Sequence, residues 1–336
     1  MTTASLPIKP AGVTRRTVIE VLTAGLRRNI WTVSLVALLA VELAFAKLAQ
    51  PRYGEISIQG LGTSVLPLAL AAVAQAIVVT AGGVDLSIGS MMALTSVVCA
   101  TAMVGQSEQA GVLIVIGVIV LGLVLGAING AVVVATRVPD IVVTLAMSFV
   151  WAGFALLVRP APGGSASAWL KDLAVGPFVI GWIPEATVVM IIVVGVIWIP
   201  VSRSRLGLSL YAVGSDSLAA FRSGVGVGRT RVLAYVLGGL FAALAGLSLT
   251  ASTGIGTPVP GPYTLESVAA VVLGGVSLAG GRGGVVGPII AVVVLQMVRT
   301  DMTFMSFDTN LAIVAQGVIL IGVVMSGSLL ELRRRR

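Results

Sequence analysis

The residues with the clearest chemical potential in this chain are Asp85 and Ser87, which lie in a glycine-flanked segment, Gly82-Gly83-Val84-Asp85-Leu86-Ser87-Ile88-Gly89. No charged residue occurs between positions 60 and 84 or between 86 and 107. An ionisable side chain inside a membrane costs roughly 2.5–3.5 kcal/mol on insertion scales, so it generally has a partner or a function there. Because paired glycines allow a backbone to turn and to approach another closely, Gly83, Asp85 and Ser87 are candidates for a solute pathway or gate. Alternatively, Asp85 caps a helix that begins near residue 86.

Further polar candidates stand in other apolar segments. Asn129 and Thr144 can line the same pathway, or they can form hydrogen bonds between helices, which is the commoner role of such residues inside a membrane. Gln75 and Gln296 carry the same two interpretations.

The glycine motif recurs in weaker form near the C-terminus. Residues 82–89 align with Gly274-Gly275-Val276-Ser277-Leu278-Ala279-Gly280-Gly281, and each copy stands between two apolar segments. Glycine-interrupted apolar segments at corresponding places in two halves of a chain point to a transport site, although glycine-rich membrane proteins also produce such matches by chance. Gly274 and Gly275 therefore join the gate candidates, and Arg282 is a candidate partner for Asp85.

The composition requires a membrane around these segments. The 336 residues are 57% hydrophobic and 10% charged, with a mean hydropathy of +1.08. A soluble domain carries about 25% charged residues, so this chain cannot cover a globule with polar surface. The sequence thus predicts an all-α integral membrane protein.

Residue counts exclude several kinds of chemistry. The chain has no histidine and one cysteine, Cys99, which excludes an internal disulfide, a His or Cys metal site and histidine acid–base catalysis. There is no Gly-x-x-x-x-Gly-Lys-Ser/Thr loop, so ATP hydrolysis would require a partner. The net charge of +8 is better explained by cytoplasmic loops and anionic lipid than by nucleic acid. The polar and basic first thirty residues predict no cleavable signal peptide.

Apolar runs predict about ten transmembrane helices. They are 30–49, 62–81, 86–104, 112–135, 139–158, 186–201, 231–251, 266–280, 284–299 and 309–327. With both termini in the cytoplasm, most of the 21 lysines and arginines fall on the cytoplasmic side, as the positive-inside rule requires. A re-entrant hairpin at 266–299 would leave both termini on the cytoplasmic side as well, so full spans and a re-entrant hairpin both stay open there.

The domain organisation follows from these spans. We expect a cytoplasmic N-terminal tail (1–29), a transmembrane domain (30–328) and a basic cytoplasmic C-terminus (329–336). The external loop 159–185 predicts a short interfacial helix at 168–174.

The cytoplasmic loop 202–230 predicts a short helix outside the membrane. Ser215 is the predicted N-cap, Asp216 would lie in the first turn, and Gly224 would end the helix. Leu218, Phe221 and Ala220 would form its apolar side. A helix this short is unstable alone, so it must pack on the protein, on lipid headgroups or on a partner.

Together these motifs resemble the permease subunits of bacterial ATP-binding-cassette (ABC) importers, in the ribose-type sugar branch. Residues 82–89 resemble that family's Gly-Gly-Ile-Asp-Leu-Ser-Val-Gly signature, and residues 129–145 are similar to its Asn-Gly…Pro-Pro-Phe-Ile-Ala-Thr-Leu block. Residues 204–224 resemble its cytoplasmic coupling loop, and residues 269–283 resemble its late glycine-rich signature. Asp140 is a departure, because many relatives have proline there.

The resemblance implies a multi-pass protein of the bacterial inner membrane that imports a sugar or sugar-like solute and is not itself an enzyme. It implies a second permease chain, identical or paralogous, a separate ABC ATPase that binds ATP and Mg, and an extracytoplasmic solute-binding protein. This chain would bind no cofactor. Asp216, Ala219, Ala220 and Gly224 would dock the ATPase.

Two other functions stay open at this point. An ion-coupled secondary transporter also uses broken helices and a buried carboxylate, but it needs no basic docking loop. A permease of the branched-chain amino acid type would share most of the motifs. A membrane enzyme is disfavoured because the sequence lacks histidine and a polar catalytic cluster.

Overall fold

A computed structural model describes residues 30–49, 53–176, 178–180, 183–259 and 261–308, together with single positions between 311 and 321. The predicted terminal tails (1–29 and 329–336) lie outside the described residues, and so does nearly all of the predicted span 309–327.

The described part of the chain is almost entirely helical. Its helices, in chain order, are α1 (Ile30–Ala49), α2 (Glu55–Thr80), α3 (Ile88–Ala102), α4 (Glu108–Thr136), α5 (Asp140–Val158), α6 (Ala168–Val175), α7 (Glu185–Arg203), α8 (Arg205–Ser215), α9 (Ser217–Arg222), α10 (Val227–Thr253), α11 (Tyr263–Leu273) and α12 (Val286–Phe304). Two short antiparallel strands, β1 (Phe178–Ile180) and β2 (Ile183–Pro184), precede α7. The predicted all-α fold is confirmed, and this small hairpin is an addition to it.

Within the described residues, six helices are long and apolar enough to cross a membrane: α2, α4, α5, α7, α10 and α12. Helices α3 and α11 are apolar but shorter. The segment predicted as a span over 266–280 ends as a helix at Leu273, because Gly274 and Gly275 begin a turn there. The short helix predicted at 168–174 is present as α6.

The core of the fold is α2, which is buried almost continuously from Val65 to Thr80. It packs against α10, which in turn packs against α3 and α4. With 26 residues, α2 is about 39 Å long, so one helix connects the two ends of the molecule. Its Glu55 end lies near α6 and β2, and its Thr80 end lies near α8.

A stripe of glycines lets α4 and α10 cross at close range. Gly122, Gly126 and Gly130 are spaced four residues apart and face α10. A Cβ atom on Gly126 would lie 3.1 Å from the Cα of Gly239, which is closer than an ordinary contact. Small residues at this spacing allow membrane helices to approach closely, so the stripe fixes the α4–α10 crossing.

Candidate functional site

The first glycine turn ends α2 in a Schellman motif. Gly82 has a φ of +82°, in the left-handed region that favours glycine. Its N–H donates to the carbonyl of Val79 (2.9 Å), and the N–H of Gly83 donates to the carbonyl of Val78 (3.0 Å). These two bonds satisfy the last carbonyls of the helix and reverse the chain toward α3.

The second turn, at the end of α11, has the same geometry. Gly275 has a φ of +77°. Its N–H donates to Val272 (3.0 Å), and the N–H of Val276 donates to Val271 (3.1 Å). The predicted echo is therefore a repeated structural motif, but its register differs by one residue: the counterpart of Gly82 is Gly275, whereas the sequence alignment paired it with Gly274. The residue after the helix cap must adopt the left-handed conformation, and an alignment of residue types does not show where the helix ends.

The first turn and the loop that follows the second turn are in direct backbone contact. The N–H of Gly281 donates to the carbonyl of Thr80, the last residue of α2, at 3.0 Å. A Cβ atom on Gly280 would lie 2.8 Å from the Cα of Gly82 and 3.1 Å from the Cα of Gly214, near the end of α8. Glycine is thus required where three segments meet.

Helix α8 attaches the loop 202–230 to this junction. The hydroxyl of Tyr211 donates to the carbonyl of Gly283 at 2.8 Å. Three residues later, Gly214 contacts the backbone of Thr80 and Gly281. A displacement of α8 must therefore move the second loop, the end of α2, or both.

Helix α9 follows α8 after a single residue, Asp216, which caps it. The Asp216 Oδ1 atom accepts hydrogen bonds from the N–H groups of Leu218 and Ala219, both at 2.9 Å. The sequence interpretation placed the N-cap at Ser215, and this is wrong by one residue because Ser215 still belongs to α8. The predicted stop is confirmed: Gly224 is left-handed, and its N–H donates to Phe221 at 3.0 Å.

The two faces of α9 differ in exposure. Leu218 and Phe221 are 57% and 68% exposed, and Ala219 is exposed beside them. Ala220 is buried against the rest of this chain. The apolar side predicted for Leu218, Phe221 and Ala220 is therefore divided: Ala220 seats the helix on its own chain, and the two large side chains face outward.

A buried polar chain begins at Asp85. Its Oδ1 atom accepts hydrogen bonds from the backbone N–H (2.8 Å) and the hydroxyl (2.6 Å) of Ser87. The Asn129 side-chain amide donates to the Ser87 hydroxyl at 2.7 Å, and the Trp151 indole donates to the Asn129 carbonyl oxygen at 3.1 Å. The structure thus brings together three predicted candidates, adds Trp151, and joins the glycine turn to α4 and α5.

Thr144 holds the other side of the same turn. Its hydroxyl oxygen accepts from the N–H of Leu86 at 3.0 Å and lies 2.8 Å from the carbonyl of Asp140. Asp85, Ser87, Asn129 and Thr144 are each fully buried. In this conformation these side chains connect helices and face no solvent.

A second polar cluster, which the sequence interpretation missed, lies beside Gly83. The Asp140 Oδ2 atom accepts from the Tyr235 hydroxyl (3.0 Å) and pairs with the Arg231 guanidinium (3.4 Å). A Cβ on Gly83 would lie 3.0 Å from the same Tyr235 hydroxyl. Asp140, the residue that departs from the family pattern, is therefore part of an ion pair that joins α5 to α10. The sequence did carry a signal for this pair, because Asp140 and Arg231 each stand at the start of an apolar segment.

The suggested pairing of Asp85 with Arg282 is not among the ion pairs of the described residues. Those pairs join Arg231 to Asp140 and Arg299 to Glu266. Asp85 is fully buried, and its Oδ2 atom has no hydrogen-bond partner, whereas Arg282 is exposed.

Comparison with known proteins identifies a family and several relatives. The profile described as "Branched-chain amino acid transport system / permease component" matches residues 57–324. The ribose import permease protein RbsC of Escherichia coli K12 is 32% identical over 262 residues, which cover 76% of this chain and 81% of the relative. The fructose import permease protein FrcC of Rhizobium meliloti is 31% identical over 261 residues (74% and 71%).

A third relative matches over a longer stretch. The autoinducer 2 import system permease protein LsrD of Yersinia enterocolitica is 27% identical over 315 residues, which cover 90% of this chain and 93% of the relative. No solved structure matches this chain.

Proposed function

The chain belongs to the family of branched-chain amino acid transport system permease components. From its similarity to ribose and fructose import permeases, we propose that it moves a sugar or sugar-like solute into the cell as one subunit of an ATP-driven importer. It is a multi-pass inner-membrane transport subunit rather than an enzyme. Membership of this family argues against the ion-coupled secondary transporter.

The observation that carries the proposed mechanism is the contact between α8, the helix that directly precedes α9, and the two glycine-turn regions. The Tyr211 hydroxyl donates to the carbonyl of Gly283, and the N–H of Gly281 donates to the last carbonyl of α2, so a displacement of α8 would pass to these segments. We propose that a partner ATPase docks on the outward face of α9, formed by Leu218, Ala219 and Phe221. Asp216 would fix the helix start, Ala220 would hold the helix on this chain, and Gly224 would end it.

In this mechanism ATP shifts the importer between two conformations. ATP-driven closure of the ATPase would displace α9, and α8 would transmit that movement to Thr80 and to the loop after Gly275. A ligand shifts such an equilibrium only through its differential affinity for the two states, and ATP binding to the partner would supply that difference. Gly83, Gly274 and Gly275 would act in the gate. Asp85, Ser87, Asn129 and Thr144 would hold the gate to its neighbouring helices or line the pathway when it opens.

The substrate class rests on the relatives. The names of three similar permeases specify ribose, fructose and autoinducer 2, whereas the family description specifies branched-chain amino acids. We therefore place a sugar or sugar-like solute first and a branched-chain amino acid second.

The assembly and topology belong to the same proposal. A second permease chain, an ABC ATPase carrying ATP and Mg, and an extracytoplasmic binding protein would complete the importer. About ten spans with both termini in the cytoplasm would place α8 and α9 on the ATPase side. The tail (1–29), the transmembrane domain (30–328) and the basic end (329–336) would be its three parts.

The test is reconstitution with candidate partners. The chain, an ATPase and a binding protein from neighbouring genes are placed in proteoliposomes, and uptake of D-ribose, D-fructose and L-leucine is measured with ATP or ADP inside. ATP-dependent uptake of a sugar supports the proposal. Uptake of leucine alone would select the amino acid alternative, and uptake that follows a proton or sodium gradient without ATP would refute both.

A further inference from the structure

Gln75 lies in the central helix of the fold and has no polar partner there. Its side chain is fully buried in α2. Neither its amide nitrogen nor its amide oxygen forms a hydrogen bond with any residue that the structure describes. A buried donor or acceptor without a partner has lost its bonds to water and gained none from the protein, so such groups are uncommon and each one calls for a physical reason.

The surroundings of Gln75 within α2 are apolar. All the other residues from Val65 to Val79 are apolar, and each of them is buried. A buried water molecule generally needs about two to four polar partners, and these side chains offer none. In such an environment an unpaired amide costs more than it would in contact with water, so the conformation described here is unfavourable for this side chain.

A second glutamine in an apolar helix shows the structural alternative. The Gln296 side chain on α12 donates from its amide nitrogen to the backbone carbonyl of Ser64 at 3.0 Å. That bond joins α12 to α2, which is the common role of amide side chains between membrane helices. Gln75 makes no such bond, so the interhelical role predicted for both glutamines applies in this conformation to Gln296 alone.

Gln75 lies between two hydrogen bonds that connect α2 to the second half of the chain. Helices α11 and α12 both pack on α2. At one end the Gln296 amide bonds to Ser64, and at the other end the N–H of Gly281 donates to the carbonyl of Thr80 at 3.0 Å. Along the helix axis Gln75 is about 16.5 Å from Ser64 and about 7.5 Å from Thr80. Ser64 and Gln75 are separated by about three helical turns, so both lie on the same side of α2.

We propose that Gln75 lines the translocation pathway and that its amide hydrogen-bonds to the transported solute in a second conformation, in which α2 separates from α11 and α12. The inference rests on the proposed function and adds to it a residue that positions the solute. An amide has two N–H donors and a carbonyl acceptor, and all of them are free to bind a solute or water once the contact opens. The closed contact carries the cost of the unpaired amide, so this residue would also shift the equilibrium toward the open state.

The first test compares the stability of the chain with transport. Gln75→Met keeps the length of an unbranched side chain and removes both polar atoms, and Gln296→Met is the matched control because it removes an amide that is bonded. Melting temperatures are measured in nanodiscs. We expect Gln75→Met to melt at least about 2 °C above the parent and Gln296→Met to melt below it, because only the second substitution breaks a hydrogen bond.

Uptake should change in the opposite direction for Gln75→Met. In proteoliposomes that contain the complete importer, we expect kcat/KM for uptake of D-ribose or D-fructose to fall about three- to tenfold, in line with the loss of one hydrogen bond to the solute. A melting temperature no higher than that of the parent would contradict the unpaired state of the amide. Parental uptake would contradict its contact with the solute. Either result overturns the proposal.

The second test measures access of water to position 75. Gln75→Cys and Val73→Cys each place a smaller side chain at a fully buried position, and the two positions lie on nearly opposite sides of α2. The parent chain is the labelling blank because its Cys99 is fully buried. The complete importer is held in nanodiscs, which expose both membrane faces, and the rate of modification by the charged reagent MTSET is measured with ATP or with ADP.

We expect Gln75→Cys to react at least fivefold faster during ATP turnover than with ADP, and Val73→Cys to stay unreactive in both conditions. Equal rates for Gln75→Cys in the two conditions, or the same acceleration at Val73→Cys, would overturn the assignment of position 75 to the pathway. A parent importer that takes up no solute with ATP would refute the proposed function instead. The melting temperatures do not depend on uptake, so the two failures are distinguishable.

Discussion

Replacing Gly214 with alanine should uncouple α8 and α9 from the proposed gate. A Cβ atom at this position would contact the carbonyl oxygen of Thr80 and would lie 2.6 Å from the nitrogen of Gly281. Ordinary van der Waals contact begins near 3.4 Å, and the neighbouring atoms are backbone, which cannot rotate away. The alanine must therefore separate α8 from the junction or break the bond between Gly281 and Thr80.

Overpacking of this kind costs about 1–3 kcal/mol. If the cost falls on the conformation in which the junction is closed, the equilibrium between transport states shifts by roughly 5–150-fold, which is the range of typical coupling energies. We therefore expect Gly214→Ala to reduce ATP-dependent sugar uptake by at least fivefold in proteoliposomes. ATP hydrolysis by the partner should fall less than uptake does, because the docking face on α9 is unchanged.

Gly226→Ala is the control, since it makes the same substitution in the same segment, residues 202–230. A Cβ there would meet only Arg229 side-chain atoms at 3.9 Å, an ordinary contact. It should leave uptake at the parental level. Parental uptake by Gly214→Ala, with parental thermal stability in nanodiscs, would refute the mechanical connection through this glycine.

Three further variants test separate parts of the structure. Tyr235→Phe leaves Asp140 with one partner fewer, so the thermal stability of the chain in nanodiscs should fall by the equivalent of about 1–3 kcal/mol; an unchanged melting temperature would contradict the role of this cluster. Asp216→Ala should destabilise α9 by about 0.5–2 kcal/mol and weaken binding of the ATPase in a pull-down assay, whereas Asp216→Asn retains a capping side chain and should bind normally. Gly126→Ala should lower stability by about 1–3 kcal/mol through the α4–α10 crossing, and Gly117→Ala, which has open space beside it, should not.

The buried network revises the role expected of Asp85. From sequence, an isolated carboxylate between apolar segments suggested either a solute contact or a helix cap. In the structure its Oδ1 atom binds Ser87 two residues ahead, a local turn stabilised by the side chain, and Asn129 and Trp151 extend that turn to α4 and α5. The carboxylate therefore has a clear structural role at the turn, and any contact with the solute would require the turn to open.

The amino-acid sequence alone determined the features that depend on composition and on neighbouring residues. Apolar runs located the six helices of the described residues that are long enough to cross a membrane, and the spacing from Asp216 to Gly224 located α9 within one residue, because caps and stops act locally. The glycines at 82–83 and 274–275 were recognised as helix breaks for the same reason. The family resemblance also rested on these local motifs.

Only the tertiary structure decided which of these features touch one another. The bond from Gly281 to Thr80, the contact of Gly214 with both, and the pairing of Asp140 with Arg231 and Tyr235 join residues that are far apart in the sequence. No periodicity encodes such pairs, because they depend on how the helices cross, which is fixed by close packing such as the glycine stripe of α4.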